Sequence, residues 1–207
     1  MRRHLRLGLA AAMTVPLMLA IPASGRVVAV TDSLQIIVDP AWAPVGDCDG
    51  GVSCFVATPT EAIEIANDHP GSTIELVPGT YTLTSTLSID GADTTVRGWT
   101  EDQGGTASDF VIDAVGQRAF RVSAPDVRIE GLKIVNADAG NGAGAGVLVD
   151  RNVTGFQFVD SEIEGDPSTV SARFGAAISI ASGAEATVRG STFVGNRAER
   201  KGGAIRV

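Results

Sequence analysis

The chain has 207 residues, of which 44% are hydrophobic and 19% charged, enough for one domain or one elongated stack of repeats. This apolar content excludes a disordered polymer, and the 25 glycines follow no triplet period, which excludes a collagen. Residues 26–207 carry 13 basic and 24 acidic side chains, a net charge of −11. Such a surface repels phosphate backbones, so we expect no nucleic-acid partner.

The first 25 residues have the three parts of a secretory signal peptide. Arg2, Arg3 and Arg6 are basic, residues 7–21 are an apolar run, and small residues follow up to Gly25. The run is shorter than the roughly 20 residues of a membrane span, so we expect cleavage after Gly25 and no transmembrane segment in the mature chain. An uncleaved membrane anchor is the alternative. Export predicts a protein that is secreted or lies on the bacterial cell surface, at the outer membrane.

Residues 26–57 form a variable N-terminal segment that contains both cysteines. Cys48 and Cys54 lie six positions apart in a glycine-rich stretch. Outside the cytoplasm a disulfide that closes this small loop is the favoured interpretation. A metal site formed with Asp47 and Asp49 is the alternative, and it lacks a third soft ligand nearby.

A short helix is predicted directly after this segment. Thr58 is a good N-cap, Pro59 suits the first helical position, and Pro70 with Gly71 stops the helix. The apolar residues between these signals form one stripe. A helix of about ten residues needs a surface to lie on, so the stripe predicts packing against a neighbouring element.

From about residue 118 the chain repeats with a period of 27–31 residues. Each unit has three short strand-like runs and no helical run. The aligned apolar residues are Phe120, Val147, Ile178 and Ile205 in the first series, Ile134, Ile163 and Phe193 in the second, and Ile129, Phe158 and Val188 in the third. Repeats of this length without a helix predict stacked coils of sheet, in which aligned residues form columns at the strand-pairing distance of about 4.8 Å.

Residues 72–207 have room for four to five such coils. A stack exposes a ladder edge at each end, and the helix that begins after Thr58 can cover the first coil. Val207 lies inside a motif that in a stack continues into another coil. We therefore expect that a partner or a second copy covers the last coil, unless the gene product continues beyond it.

These residues resemble right-handed parallel β-helix proteins of the pectin-lyase-like class. Residues 193–196, Phe-Val-Gly-Asn, with residues 202–205, Gly-Gly-Ala-Ile, are similar to the repeat of the polymorphic outer-membrane protein family, and partial copies extend over residues 127–207. Residues 61–63, Glu-Ala-Ile, are similar to the entry segment of secreted bacterial β-helices. The fold class implied for residues 58–207 is all-β: a right-handed parallel β-helix, a single-stranded solenoid of about four to five coils with a short N-terminal capping α-helix.

The resemblance also directs attention to acidic residues on the outer surface. β-Helix enzymes that cut acidic polysaccharides place Asp or Glu clusters, often with calcium, and a basic residue on an outer groove. Here Asp160, Glu162 and Glu164 are expected to face outward along one strand, with alternate residues about 6.6 Å apart, near the carboxylate spacing of some glycosidases. The repeat alignment places Lys133 beside Glu162, which favours a surface salt bridge and a solvated charged face over a catalytic pair.

No cofactor is expected, and calcium at an oxygen-rich loop is left as an open alternative. The loops in question contain Asp47 and Asp49, Asp90 and Asp93, Asp109 and Asp113, and Asn136, Asp138 and Asn141. None matches the EF-hand loop or the calcium-binding nonapeptide repeat, and Asp and Asn are ordinary turn formers. His69 lies in the turn that stops the helix, so a histidine-based relay is not expected either.

Two functions from different classes remain. The favoured one is a secreted or cell-surface β-helix scaffold, non-enzymatic, that serves adhesion or contacts a glycan. The alternative is a polysaccharide lyase or glycoside hydrolase of the pectin-lyase-like class. The expected partners are an extracellular glycan or surface protein, and a second copy through the open C-terminal coil.

Overall fold

The described part of the chain folds into short parallel strands and one α-helix. The computed structural model describes residues 33–41, 53–98 and 105–207. Every strand pair in these ranges is parallel, so the fold is all-β with parallel sheets. The predicted signal peptide, Cys48, Asp47 and Asp49 lie outside the described residues, and so does most of the variable segment.

Nineteen strands are described, most of them three or four residues long, and helix α1 (Pro59–Asp68) lies between the second and the third. In chain order the strands are β1 (Gln35–Val38), β2 (Ser53–Val56), β3 (Thr73–Leu76), β4 (Gly79–Thr82), β5 (Leu87–Ile89), β6 (Thr95–Gly98), β7 (Phe110–Asp113), β8 (Phe120–Val122), β9 (Arg128–Glu130), β10 (Lys133–Val135), β11 (Val147–Val149), β12 (Phe156–Val159), β13 (Glu162–Glu164), β14 (Ala172–Phe174), β15 (Ile178–Ile180), β16 (Ala186–Arg189), β17 (Thr192–Val194), β18 (Ala198–Lys201) and β19 (Ile205–Arg206).

The strands build three long sheets and a short one. Sheet 1 has the order β16-β12-β9-β6-β3-β1-β2, sheet 2 the order β17-β13-β10-β7-β4, sheet 3 the order β19-β15-β11-β8-β5, and sheet 4 pairs β14 with β18. From β3 onward the chain visits sheets 1, 2 and 3 in turn and then returns to sheet 1, for five rounds. The last two rounds add a strand in sheet 4 between sheets 2 and 3. Consecutive rounds therefore lie on one another through parallel pairing.

The repeat alignment made from the sequence is confirmed by the register of the sheets. Val147 pairs with both Phe120 and Ile178 in sheet 3. Ile163 pairs with Ile134 and Phe193 in sheet 2, and Phe158 lies between Ile129 and Val188 in sheet 1. Most of these apolar side chains are fully buried, so the columns form the core between the three long sheets. Burial of each large side chain stabilises the stack by about 1.5–3 kcal/mol.

Helix α1 forms where the sequence predicts it. The Thr58 side chain accepts a hydrogen bond from the Glu61 N–H at 3.3 Å, and Pro59 occupies the first turn. Ala62, Ile63 and Ala66 are buried against β1, β3 and β5. β5 is an edge strand of sheet 3, so the apolar stripe of the helix covers the first round of strands.

The variable segment contains structure that the sequence analysis did not predict. β1 and β2 extend sheet 1 beyond β3, with β1 hydrogen-bonded between β3 and β2. Their inward side chains alternate with outward ones, as in the repeats, and Ile36 and Val38 are fully buried. The parallel stack therefore begins before α1, although the chain reaches β3 only after the helix.

The last round is the least covered part of the stack. β16, β17 and β19 are edge strands, and Val188, Phe193 and Ile205 are only half-buried, whereas their partners in the preceding round are buried. That a partner or a second copy covers this round stays a prediction. Within the described ranges no helix is long and apolar enough to cross a membrane.

Candidate functional site

A groove of about 500 Å³ lies beside the outer face of sheet 1, where the chain turns toward sheet 2. Its walls include Glu75, Arg97, Phe110, Glu130, Asp160 and, from the loop before β7, Thr106. This volume is within the usual range of ligand sites, and several charged groups converge on it. Among the described residues this groove is the strongest candidate for a functional site.

Three charged residues follow one another across the strands beside this groove. Glu75 on β3 pairs in register with Arg97 on β6, and Arg97 pairs with Glu130 on β9. The preceding residue on each strand points into the core and is buried, so strand alternation directs the charged side chains to the outer face. The parallel register therefore creates a row of alternating charge that is not contiguous in sequence.

The Glu75 carboxylate is the buried end of this row, with a side chain only 1% exposed. Its Oε1 accepts a hydrogen bond from the Arg97 Nε at 2.9 Å, and its Oε2 accepts one from the Gln35 Nε2 at 2.6 Å. Arg97 adds an ion pair to Oε1 through a second nitrogen. Both oxygens are occupied, as a buried carboxylate requires, and Glu75 thereby fixes the guanidinium that lines the groove.

Glu130 is held by a neighbour on its own strand. Arg128 donates two parallel hydrogen bonds to the Glu130 carboxylate, each at 2.8 Å, and a third to the Gln157 Oε1 at 2.7 Å. The hydrogen bonds from Arg128 lower the pKa of Glu130 below its ordinary value, while partial burial acts in the opposite direction. The same pairing raises the pKa of Arg128.

Asp160 lines the groove from a corner, and this corrects the sequence-based expectation that it shares a strand with Glu162 and Glu164. Asp160 has a φ of +47°, so the extended alternation is broken before β13 begins. Gly131 and Gly190 have the same left-handed backbone at the corners of the rounds before and after it. The exposed Asp160 carboxylate makes no hydrogen bond to any described residue, and it lies directly over Gly190.

Glu162 and Glu164 lie on β13 in sheet 2, outside the walls of the groove. The Lys133 Nζ is 3.3 Å from the Glu162 Oε1 and 2.5 Å from the Glu164 Oε2. The predicted salt bridge between Lys133 and Glu162 is confirmed, and the hydrogen bond to Glu164 is the main cause of a raised pKa of Lys133. The fold therefore separates Asp160 from the other two sequence candidates.

Glu75, Arg97 and Glu130 were missed by the sequence analysis. A signal for them exists: each follows an inward apolar residue of the third series when that series is extended upstream to Ile74 and Val96. The three charged positions are 22 and then 33 residues apart, because an insertion separates β6 from β7. This unequal spacing does not match the period of the repeats, so the sequence alone does not indicate that the three residues align.

Two of the oxygen-rich loops in the described part of the chain have carboxylates that accept hydrogen bonds from nearby groups. The Asp138 carboxylate accepts from the Gly140 N–H at 2.6 Å, and the Asp113 carboxylate accepts from the Val115 N–H and the Asn136 amide. Across residues 33–41, 53–98 and 105–207, no three His, Cys, Asp or Glu side chains gather closely enough to hold a metal. Calcium binding stays an open alternative.

The cysteine pairing also stays a prediction. Cys54 lies on β2, is 8% exposed, and is not a free thiol; the described part of the chain contains no free cysteine. Its predicted partner Cys48 is outside the described residues. Asn196, the last residue of the Phe-Val-Gly-Asn motif, donates a hydrogen bond from Nδ2 to the Ile163 carbonyl of the preceding round at 2.8 Å.

Comparison of the chain with protein-family models, with curated proteins and with solved structures found no match.

Proposed function

We propose that the protein is an exported, non-enzymatic β-helix scaffold whose groove beside sheet 1 contacts a glycan. The three long parallel sheets, visited in turn by the chain, support a β-helix. Right-handed winding is part of the proposal, because crossover connections between parallel strands are right-handed in about 98% of cases. The resemblance to β-helices of the pectin-lyase-like class adds the secreted or cell-surface setting.

The observation that carries a binding role over a catalytic one is the pairing of the charged groups in the groove. Both oxygens of Glu75 are occupied by Arg97 and Gln35, and Glu130 is held by two hydrogen bonds from Arg128. A general acid or base must exchange a proton with its substrate, and carboxylates committed to guanidinium groups are poor at this. Glu130 is partly exposed and retains lone pairs that accept hydrogen bonds from sugar hydroxyls, and the Arg97 guanidinium that Glu75 holds in place is 43% exposed and can donate to them. Such a fixed pair of groups suits recognition.

The groove can be blocked without strain at Gly131. Gly131 has a φ of +65° and free space around its Cα, and it lines the groove. Asn tolerates this backbone conformation, so Gly131→Asn adds a side chain to the groove while it preserves the fold. Gly116→Asn is the matched control, since Gly116 has a φ of +76° and equal space but lies outside the groove.

The test is binding of the purified protein to a panel of neutral and acidic oligosaccharides, followed by calorimetry on the best ligand. Gly131→Asn should weaken binding by about tenfold, equivalent to a loss of about 1.4 kcal/mol. Gly116→Asn should bind like the wild type. Equal binding by both variants, or no binding to any oligosaccharide by the wild type, would overturn the proposal.

A polysaccharide lyase or glycoside hydrolase is the second candidate. Asp160 favours it, because this carboxylate is free of hydrogen bonds to described residues and lines the same groove as Arg97. Incubation with pectins and alginates, with detection of new reducing ends and unsaturated products, decides between the two. Cleavage that is lost in Asp160→Asn would establish an enzyme. Glu162→Gln is the comparison variant, since Glu162 is tied to Lys133 outside the groove.

Export and self-association are part of the proposal and have separate tests. Recovery from the culture supernatant, or from the cell surface, of a species that begins at residue 26 would support signal cleavage after Gly25; a species that retains residues 1–25 would contradict it. Self-association through the last round of strands predicts a sedimentation coefficient that rises with protein concentration. A strict monomer would exclude it.

A further inference from the structure

The basic residues of the chain are concentrated at its C-terminal end. Residues 172–207 contain six of the 16 basic residues and two of the 24 acidic ones, a net charge of +4. Residues 1–171 have a net charge of −12. The part of the stack formed by residues 172–207 is therefore cationic in a chain that is otherwise strongly acidic.

Three of these cations, Arg173, Lys201 and Arg206, lie beside one aromatic ring, that of Phe174. Together with the neighbouring Arg200 these residues are called the basic patch. The Arg206 Cζ lies 4.8 Å from the centroid of the Phe174 ring, and the Arg173 Cζ lies 5.4 Å from it. Both distances are within the range of cation–π attraction. The ring therefore fixes two guanidinium groups at the surface.

An irregularity in sheet 4 determines which residue lies beside this ring. β14 and β18 pair at Ala172 with Ala198 and again at Phe174 with Lys201, so β18 contains one residue more than β14 between these pairs. Such a bulge changes the direction of the side chains that follow it. Without the extra residue Phe174 would pair with Arg200; with it, Lys201 lies beside Phe174 and both cations remain exposed.

The cations of the basic patch are largely unpaired, in contrast to four cations of the preceding rounds. Arg97, Arg121, Arg128 and Lys133 each form an ion pair with a carboxylate. In the basic patch, Arg200, Lys201 and Arg206 form no ion pair with a described residue, and Arg173 has one carboxylate oxygen, of Glu199, at 3.9 Å. The patch thus has unused capacity for anions.

We propose that the basic patch binds a short anionic oligosaccharide, through carboxylate or sulfate groups on its sugars. A guanidinium presents its donors in a planar fork that matches these groups, and stacking on Phe174 leaves the fork edges available. Fixing the side chains before binding lowers the entropy cost of the contact. The choice of a glycan as partner rests on the proposed function.

Charge argues against the other polyanions. A nucleic acid or an anionic membrane extends beyond the patch and would meet the remaining surface, which repels it. A single saccharide segment carries a few anionic groups and can lie on the patch alone.

The experiment compares the purified protein with two variants by calorimetry. Lys201→Gln/Arg206→Gln removes two exposed cations of the patch, and Arg151→Gln removes an exposed cation elsewhere. The ligands are oligogalacturonate for carboxylates, heparin oligosaccharide for sulfates, and dextran as a neutral control. We expect the double variant to bind at least one acidic ligand about tenfold or more weakly, with a smaller salt dependence, and Arg151→Gln to match the wild type. Which acidic ligand responds identifies the anionic group.

Three outcomes overturn the inference: equal binding of acidic ligands by the double variant and the wild type, equal affinity of the wild type for dextran and the acidic ligands, and preference for duplex DNA or phosphatidylglycerol vesicles.

The groove variant Gly131→Asn is measured in parallel. If it weakens oligosaccharide binding and the double variant does not, the inference fails and the groove proposal stands. If only the double variant weakens binding, the groove proposal fails and the basic patch stands. Thermal unfolding of every variant confirms that the fold is retained.

Discussion

The guanidinium of Arg97 on β6 neutralises the buried carboxylate of Glu75 on β3, across one rung of sheet 1. The Glu75 side chain is 1% exposed and the Arg97 side chain 43% exposed, so the pair links a buried carboxylate to a guanidinium on the surface of the groove. The carboxylate would be costly to bury alone, and its position therefore depends on a residue of the following round.

Removal of Arg97 should destabilise the protein strongly. Arg97→Ala leaves Glu75 with Gln35 as its remaining hydrogen-bond donor, and we expect a loss of about 2–3 kcal/mol in the free energy of unfolding, below the range for a fully buried pair because Arg97 is partly exposed. Urea unfolding measures it. The double variant Arg97→Ala/Glu75→Gln should recover part of the loss.

The matched control for this prediction is Arg121→Ala. Arg121 forms a pair with Asp150 on the surface, at 2.8 Å and 53% exposed, and such pairs contribute about 0.2–1 kcal/mol. If Arg97→Ala cost no more than Arg121→Ala, Glu75 would not depend on its pair.

Gly98 should be intolerant of any side chain. A Cβ at this position would lie 2.3 Å from the ring of Phe110, which is buried at the start of β7. Gly98→Ala must displace this ring, and overpacking of this kind costs about 1–3 kcal/mol. Thermal unfolding measures the effect.

Gly79→Ala provides the comparison for Gly98. Gly79 also lies in a strand and has no positive φ, but no atom lies within 4 Å of the added Cβ. We expect this variant to match the wild type or to exceed it slightly, because Ala restricts the unfolded chain. A similar loss in both variants would show that backbone freedom, not contact with Phe110, explains the glycine at position 98.

The repeated half of the fold was predictable, because each of its units places apolar residues at equivalent strand positions. The pairs of Val147 with Phe120 and Ile178 follow directly from that spacing. β1 and β2 were not predictable in this way, since they precede the repeats and are separated from each other by residues 39–52. They reach sheet 1 by long-range pairing alone.

The groove was harder to predict than the fold for a related reason. Glu75, Arg97 and Glu130 meet because three strands share a register, and the insertion between β6 and β7 makes their spacing irregular. Asp160 was identified as a candidate, and its alignment with Gly131 and Gly190 is the signal for the left-handed backbone that moves it to a corner, because Asp adopts this conformation less readily than Gly. The alternation of residues within each strand predicts which side chains face outward. The pairing register between the strands determines which of these side chains lie next to one another.

Acid should weaken the protein partly through Glu130. The pKa of Glu130 is lowered in the folded state, chiefly by the hydrogen bonds from Arg128, below an ordinary value of 4.5. The stabilisation is therefore fully present above that ordinary value and is lost as the pH falls through the folded-state pKa. Glu130→Gln should flatten the decline in unfolding free energy between about pH 5 and pH 3.

Urea unfolding over this pH range tests the role of Glu130. Glu185→Gln removes one negative charge from an exposed site with no hydrogen bond to a described side chain, and it controls for the change in net charge. A wild-type slope in Glu130→Gln would mean that its pairing with Arg128 does not contribute to acid stability.

Val115 should be replaceable with a gain in stability. Its φ is +48°, a conformation that is unfavourable for a β-branched residue, and its side chain is 56% exposed, so little packing offsets the strain. Val115→Asn should stabilise the protein by about 1 kcal/mol, because Asn adopts the left-handed conformation at lower cost.

Val194→Asn is the control, since Val194 is also exposed, at 48%, but lies in strand β17 with no positive φ. Thermal unfolding should show a higher midpoint for Val115→Asn and no increase for Val194→Asn; an equal midpoint in Val115→Asn and the wild type would show that the strain at Val115 is relieved by its surroundings.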